Sequence, residues 1–384
     1  MEENTKNFFD SNARSMTNIP ELNVELNTDL RLSDRMCKHI RGAFKYFRGV
    51  FDGKGHTISA MPEKSTSLFS SIYFSKIKDL TIHNIDGSRG FILADDSTQS
   101  EINNVSLTGT IYLSESLGGM FRTGESLYFK NCHVNIVTKT LTSKLIDESL
   151  TESEDKEPPH FGGFMGVNLG GVIFHDCSLS GELSSEVAVG GFCAIARDTL
   201  FRECNIEELT VSGKREVGLF VGRGSRSLEF KRCIVYTSKL SANHWVGYLV
   251  GKTYGSIEVS KLLVEDCFIK PKGTLTHAGG IAGSADKISL TDSCLEGSIT
   301  ANIILAGVCP DVSNISVINN KFNLSLTAVG YPPMMTHGYK LFRSDFLTGS
   351  GKEITVVEDG NTVDINLVEL SGGGIINPFE ESLV

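Results

Sequence analysis

The stretch GGFMGVNLGGVIFHDCSLSG, residues 162–181, decides the fold because the chain repeats its pattern several times. Each copy opens with glycine and a bulky apolar residue and continues, after a gap, to a cysteine in a short apolar strand. Further copies read GGFCAIARDTLFRECNIEEL (190–209), GLFVGRGSRSLEFKRCIVYT (218–237) and GYLVGKTYGSIEVSKLLVEDCFIK (247–270). A repeat of this length predicts a solenoid, in which each unit buries its apolar face against its neighbours.

The spacing of the repeats is nearly constant. The bulky apolar anchors are separated by 28, 28, 29, 32 and 27 residues, and they are Phe164, Phe192, Phe220, Leu249, Ile281 and Val308. Apolar and β-branched runs of four to six residues lie between the anchors, and such runs are too short for helices. The spacing therefore predicts an all-β parallel β-helix of about nine coils, stacked about 4.8 Å apart into a rod about 40 Å long.

A second anchor aligns the strands without gaps and places small or apolar residues in one inward column. This column comprises Leu80, Val105, Cys132, Cys177, Cys204, Cys233, Cys267, Ser293 and Asn320. The residue before it is Asp or Asn in seven of nine units: Asp79, Asn104, Asn131, Asp176, Glu203, Arg232, Asp266, Asp292 and Asn319. Asp and Asn tolerate a left-handed backbone and hydrogen-bond their own turn, so this column predicts a corner in every coil.

The chain contains nine cysteines, and five of them fall in the inward column. Because cysteine packs as a small hydrophobe, we expect Cys132, Cys177, Cys204, Cys233 and Cys267 to be buried and reduced. The sequence has neither a CxxC motif nor Cys/His pairs at ligand spacing. It therefore predicts no metal site and no cofactor.

The acidic members of the corner column raise an enzyme alternative. Lyases and hydrolases built on β-helices place carboxylates on adjacent coils, where they bind calcium or act as acid and base. Asp176 and Glu203 would be neighbours, Asp266 would follow two coils later, and Arg232 would lie between them. The corner role accounts for all nine positions and the catalytic role for three, so the sequence favours the corner.

The segment FRGVFDGKGHTI, residues 47–58, resembles the first coil of bacterial and phage surface proteins that carry GLUG repeats. The later units resemble the GLUG consensus itself, and the resemblance extends over about residues 22–326. It implies a right-handed parallel β-helix, as in adhesins, phage fibres and the non-catalytic part of immunoglobulin-A-directed proteases. It also implies that Gly53, Gly55 and His56 form a structural turn, since no catalytic partner for the histidine is identifiable.

The sequence divides into three segments. Residues 1–44 form an N-terminal cap with the first strand, 45–328 the β-helix with an insertion at 141–160, and 329–384 a C-terminal cap and tail. Residues 147–157 hold six acids and one lysine, a composition that predicts a solvated loop. In the last segment, two alternating strands flank Asp359-Gly360-Asn361, which predicts a β-hairpin cap.

Charge and hydropathy exclude some classes of function. The formal net charge is −10 and no basic stripe is present, which argues against nucleic acid as a partner. The chain has no run of 18 apolar residues and no signal-peptide core at its start, so we expect no membrane span. Synthesis in the cytoplasm is expected, compatible with incorporation into a virion or export by a route other than Sec.

These observations predict a non-enzymatic structural or attachment protein. Such a rod would assemble with other protein subunits, including copies of itself, or bind a surface receptor or glycan. The alternative is a glycan- or protein-binding module that uses a coil face, which exposed aromatic side chains stacked on one wall would favour. Tyr236, Tyr248 and Tyr254 are scattered candidates. A polysaccharide lyase or hydrolase is a further alternative, supported by fold analogy and the acidic column.

Overall fold

A computed structural model confirms the predicted all-β parallel solenoid. It describes residues 21–37, 45–62, 64, 66–86, 90–113, 117–140, 160–272, 277–301, 304–328 and 355–369. A helical turn at 34–37 is the only helix among these residues, and all the pairings between their strands are parallel. The fold is therefore a stack of coils rather than a set of hairpins.

Three walls surround the interior. The first wall is a seven-stranded sheet of β10 (Leu117–Gly118), β14 (Phe161–Gly162), β18 (Ala188–Gly190), β21 (Glu216–Gly218), β25 (Trp245–Gly247), β28 (His277–Gly279) and β31 (Ile304–Ala306). The second wall comprises β1 (Leu22–Glu25), β3 (Tyr46–Phe47), β4 (Gly49–Asp52), β6 (Thr66–Tyr73), β8 (Phe91–Thr98), β11 (Phe121–Glu125), β12 (Tyr128–Lys130), β15 (Met165–Gly170), β16 (Val172–His175), β19 (Cys193–Arg202), β22 (Val221–Lys231), β26 (Val250–Ser260), β29 (Ala285–Thr291), β32 (Val312–Ile318) and β34 (Thr355–Asp359).

The third wall follows the corner column. It comprises β2 (Leu30–Leu32), β5 (Thr57–Ala60), β13 (His133–Thr140), β17 (Ser178–Ser184), β20 (Asn205–Ser212), β23 (Ile234–Tyr236), β24 (Lys239–Ala242), β27 (Leu263–Pro271), β30 (Cys294–Ala301), β33 (Lys321–Ala328) and β35 (Thr362–Glu369). Two strands, β7 (Lys76–Asn84) and β9 (Glu101–Leu113), continue through the corner from the second wall to the third. Successive coils thus pair on both of these walls, and also on the first wall from β10 to β31.

The corner between the second and third walls is left-handed in nine successive coils, with φ between 49° and 57°. Its residues are Asp79, Asn104, Asn131, Asp176, Glu203, Arg232, Lys261, Asp292 and Asn319. Amide side chains link some coils directly: Asn104 Nδ2 donates to Asp79 Oδ1 at 2.7 Å, and Asn319 Nδ2 donates to Asp292 Oδ1 at 3.4 Å. The predicted corner is therefore present in every coil.

One member of each predicted column was wrong. Lys261, and not Asp266, occupies the seventh corner, and Leu262, and not Cys267, lies behind it in the interior. The backbone ladder fixes this register, since Arg232 N donates to Ser260 O and Lys261 N donates to Thr291 O. The ungapped alignment on the cysteines missed this corner because Lys261 and Leu262 are neither Asx nor Cys. The 29-residue spacing from Glu203 to Arg232, continued once more, leads to Lys261.

Two phenylalanine ladders fill the interior. The rings of Phe164, Phe192 and Phe220 stack along one ladder at 4.8 and 5.1 Å, within 7° of parallel. A second ladder is formed by Phe129, Phe174, Phe201 and Phe230, at 4.7, 5.2 and 4.9 Å. Rings of the two ladders meet edge to face. Each ring thus contacts neighbours on its face and on its edge, which favours a single register of the coils.

Glycine pairs allow the first wall to approach the next coil. A Cβ on Gly163 would lie 2.2 Å from Gly191 O, and one on Gly191 would lie 1.8 Å from Leu219 O. Both distances are shorter than any real contact, so only glycine fits these positions. The repeated GG pair therefore reflects close packing between coils.

The C-terminal strands correct the predicted hairpin. β34 pairs with β32 and β35 pairs with β33, both in parallel, so the two strands form one more coil. Gly360 continues the corner column with φ 62°, and Asn361 Oδ1 accepts from Asn320 N at 2.9 Å. An Asp-Gly sequence favours a left-handed residue, which a hairpin and a solenoid corner both require. β34 and β35 pair with the preceding coil rather than with each other because that coil offers them free strand edges. The predicted acidic insertion at 141–160 lies outside the described residues except for His160.

Replacing Phe201 by alanine should strongly destabilise the coils, because its ring contacts both ladders. The expected loss is about 3–5 kcal/mol of unfolding free energy, measured by urea denaturation. Ile173→Ala is the matched control, since Ile173 lies on the outside of an adjacent coil and is 36% exposed. Equal losses for the two variants would contradict the interior ladder.

Candidate binding surface

The three carboxylates of the enzyme alternative do not form one cluster. Asp176 and Glu203 occupy neighbouring coils of the corner column, as expected from the sequence. Asp266 lies in a different bend within the third wall, in line with Thr237, whose N–H donates to Glu265 O at 3.0 Å. The alignment that placed Asp266 with the other two was therefore wrong.

Glu203 is held as a charged carboxylate. His175 Nε2 lies 3.2 Å from its Oε2, and Arg232 Nη2 from the next coil contacts Oε1. The hydrogen bond from His175 and the charge of Arg232 lower the pKa of Glu203. A general acid requires a raised pKa, so this environment does not suit Glu203 for that role.

The segment around His56 forms the turn between β4 and β5, in the coil that pairs with β1 and β2. Asp29 Oδ1 accepts from Thr57 N at 2.8 Å and lies 3.2 Å from His56 Nδ1. Gly55 has φ 78°, and a Cβ on Gly53 would lie 2.3 Å from Asp79 O. These contacts account for the glycines and the histidine as parts of a turn from the second wall to the third, packed against the coils on both sides.

The predicted inward cysteines are buried, and four of them stack in consecutive coils: Cys132, Cys177, Cys204 and Cys233. Cys267 is buried as well, but at the other bend. Thiol hydrogen bonds reach carbonyls on the preceding coil, as from Cys204 Sγ to Phe174 O at 3.5 Å. Burial raises the pKa of Cys267 to about 12 and also raises that of Cys132 and Cys204. All nine cysteines are free, which fits thiols that contribute by packing.

A cluster of aromatic and cationic side chains lies on the outside, where the first and second walls meet. We call Trp245, Lys252, Tyr254 and His277 the Trp245 patch. Lys252 Nζ lies 4.0 Å from the centre of the Trp245 ring and 4.8 Å from that of Tyr254, so the ammonium is held between two rings. His277, one coil further on, stacks on Trp245 with ring centres 6.1 Å apart. Tyr254 is 60% exposed.

An ion pair between the buried Glu216 and the half-buried Arg223 lies beside the patch on the preceding coil. Arg223 Nε and Nη2 donate to Glu216 Oε1 at 3.1 and 3.0 Å, and Nη2 also donates to Oε2 at 2.9 Å. Glu216 pairs with Trp245 in the first wall, and Arg223 pairs with Lys252 in the second. The ion pair therefore lies on the coil next to Trp245 and Lys252. Glu216 is only 3% exposed.

The sequence pattern identified part of this surface. Tyr254 was a candidate, whereas Tyr248 is buried and its hydroxyl lies 2.9 Å from Cys267 O. Tyr236 is half-buried in the third wall. Trp245 and Lys252 were missed because they are contributed by different walls, and only the register of the coils brings them together.

The chain matches no family model and no curated protein sequence. Within the described ranges, no three His, Cys, Asp or Glu side chains are grouped to hold a metal ion. In that same part of the chain, no helix has the length and hydrophobicity to cross a membrane. The Trp245 patch is therefore interpreted from its own geometry.

Substitutions at Asp176 should separate a corner role from a catalytic role. Asp176→Asn keeps the turn chemistry and removes the charge, so we expect nearly unchanged stability. Asp176→Val should cost about 1–2 kcal/mol, measured by urea denaturation, because a β-branched side chain is strained at φ 54°. Ser180→Val, on an extended strand of the same coil, is the control. A well-folded Asp176→Asn variant that lost cleavage of a polysaccharide would support the enzyme alternative.

Thiol reactivity should follow burial. Cys294 is half-buried and the other eight cysteines are buried, so a thiol-specific reagent should modify at most Cys294 rapidly in the native protein. Unfolding in guanidinium should expose all nine. Cys294→Ser should abolish the fast phase. Rapid modification of several thiols without denaturant would contradict the buried stack.

Proposed function

We propose that this chain is a non-enzymatic attachment protein, a stiff β-solenoid that assembles with or binds other molecules at a virion, fibre or cell surface. The observation that carries the proposal is the coil-to-coil pairing, which runs through the second wall from β1 to β34 and through the third from β2 to β35. Hydrogen bonds along two walls resist bending and extension. Such a body suits a spacer or support that holds a binding element at a fixed position.

A second candidate function is a binding module that uses a coil face. The Trp245 patch favours it, because Lys252 contacts two rings, whereas the other cation–ring contacts of the described residues involve one ring each. Aromatic side chains supply large contact areas with little loss of conformational entropy, which is why they concentrate at binding surfaces. The two candidates share the scaffold and differ in where the contacts lie.

Fractionation of the native source tests the attachment role. We expect the protein to co-sediment with virions, cell surface or another large assembly in a density gradient. Deleting residues 371–384, or replacing 145–158 by a Gly/Ser linker, should leave a folded solenoid by circular dichroism, and at least one change should release it from the assembly.

Two other results would count against the attachment role or relocate its contacts. A protein found only as a free monomer in every fraction would contradict the attachment role. If both changes leave assembly intact while Tyr254→Ala abolishes it, the coil face carries the contacts and the second candidate is correct.

A further inference from the structure

We propose that the Trp245 patch binds a carboxylated sugar, with the sugar ring against the exposed Tyr254 and the carboxylate at Lys252. The inference rests on the proposed attachment role, since it names the ligand through which the solenoid would attach. The indole and phenol rings flank one ammonium at 4.0 and 4.8 Å, so an apolar platform and a cation occupy the same small area. A ligand that satisfies both must join an apolar face to an anion.

The charges of the patch leave one cation available. Arg223 and Lys252 lie side by side on adjacent coils, and Glu216 is the carboxylate beside them. Both oxygens of Glu216 are taken by Arg223, and Lys252 makes no ion pair with any described residue. The ammonium therefore keeps its N–H donors for a ligand. A carboxylate carries one negative charge, which matches this ammonium, and hydrogen bonds between charged groups are the stronger ones.

The residues in line with Lys252 on the preceding coils restrict the class of ligand that the patch can bind. The positions equivalent to Lys252 on the preceding coils are Arg223, Ile195, Val167 and Thr123, so the cations do not continue along the rod. A polyphosphate chain or nucleic acid requires a track of positive charge along its backbone. One charge beside two rings instead fits one carboxylate on a pyranose, whose polarised C–H bonds meet the negative face of an aromatic ring.

The composition supplies a specific probe, because Trp245 is the only tryptophan of the chain. Its fluorescence can be titrated with β-1,4-linked tetramers of glucuronic acid and of glucose, and with sialyllactose and lactose. Within each pair the first sugar carries carboxylates and the second does not. We expect saturable changes with at least one acidic sugar and binding of its neutral counterpart that is weaker by about tenfold or more.

Variants test the role of each group. Lys252→Gln should weaken binding of the acidic sugar by about tenfold and bring it to the level of the neutral sugar. Tyr254→Ala should weaken both sugars of a pair. Lys139→Gln is the matched control: Lys139 lies 5.6 Å from the Tyr112 ring in a similar arrangement, but its ammonium is already paired with Asp86 at 3.3 Å. This variant should bind as the unmodified protein does.

The outcomes decide the proposal. Absence of binding by both acidic sugars overturns it, as does equal binding of acidic and neutral sugars, or unchanged affinity in folded Lys252→Gln and Tyr254→Ala proteins. Competition by sodium sulfate at equal concentration would show a site for any anion and would also overturn it. None of these results affects the sedimentation test, so a failed ligand assignment remains distinguishable from a failed attachment role.

Discussion

The structure depends on backbone hydrogen bonds between successive coils. These bonds form only if each coil follows the same path as the one before it, so the corner must fall at an equivalent point every time. Asp and Asn adopt the left-handed corner with little strain, yet Arg232 and Lys261 adopt it too, at φ 56° and 57°. Strain of about 1–2 kcal/mol at a non-Gly residue is tolerated there because the ladders above and below over-determine the backbone.

The composition of the interior follows from this register. Once the coils repeat, every inward side chain contacts its own equivalent in the next coil, and the interior becomes a set of columns. Phenylalanine stacks well on phenylalanine at about 5 Å, near the spacing of the coils. The position behind the corner is filled by Cys, Val, Leu, Ser or Asn, which are buried as at Val105, Cys204, Leu262, Ser293 and Asn320.

The sequence predicted most of the features that recur and missed those that occur once. The corner column was visible because Asp and Asn have a local chemical reason to be there. The second phenylalanine ladder carried a signal that was overlooked, a Phe three residues before each of the four stacked cysteines, as in Phe174 and Cys177. Lys261 lacked the Asx signature, and the direction of pairing of β35 depends on the edge offered by β33, which no local pattern encodes.

The outer surface is the part of the solenoid that the ladder leaves free to vary. A substitution there changes neither the register nor the interior columns, so binding groups can differ from coil to coil on a constant backbone. Two lysine–tyrosine pairs illustrate this freedom. Lys139 beside Tyr112 is neutralised by Asp86, whereas Lys252 beside Tyr254 has no carboxylate partner among the described residues and gains the only tryptophan instead. The same contact thus neutralises the lysine in one place and, in the other, leaves the charged ammonium beside an exposed tyrosine ring.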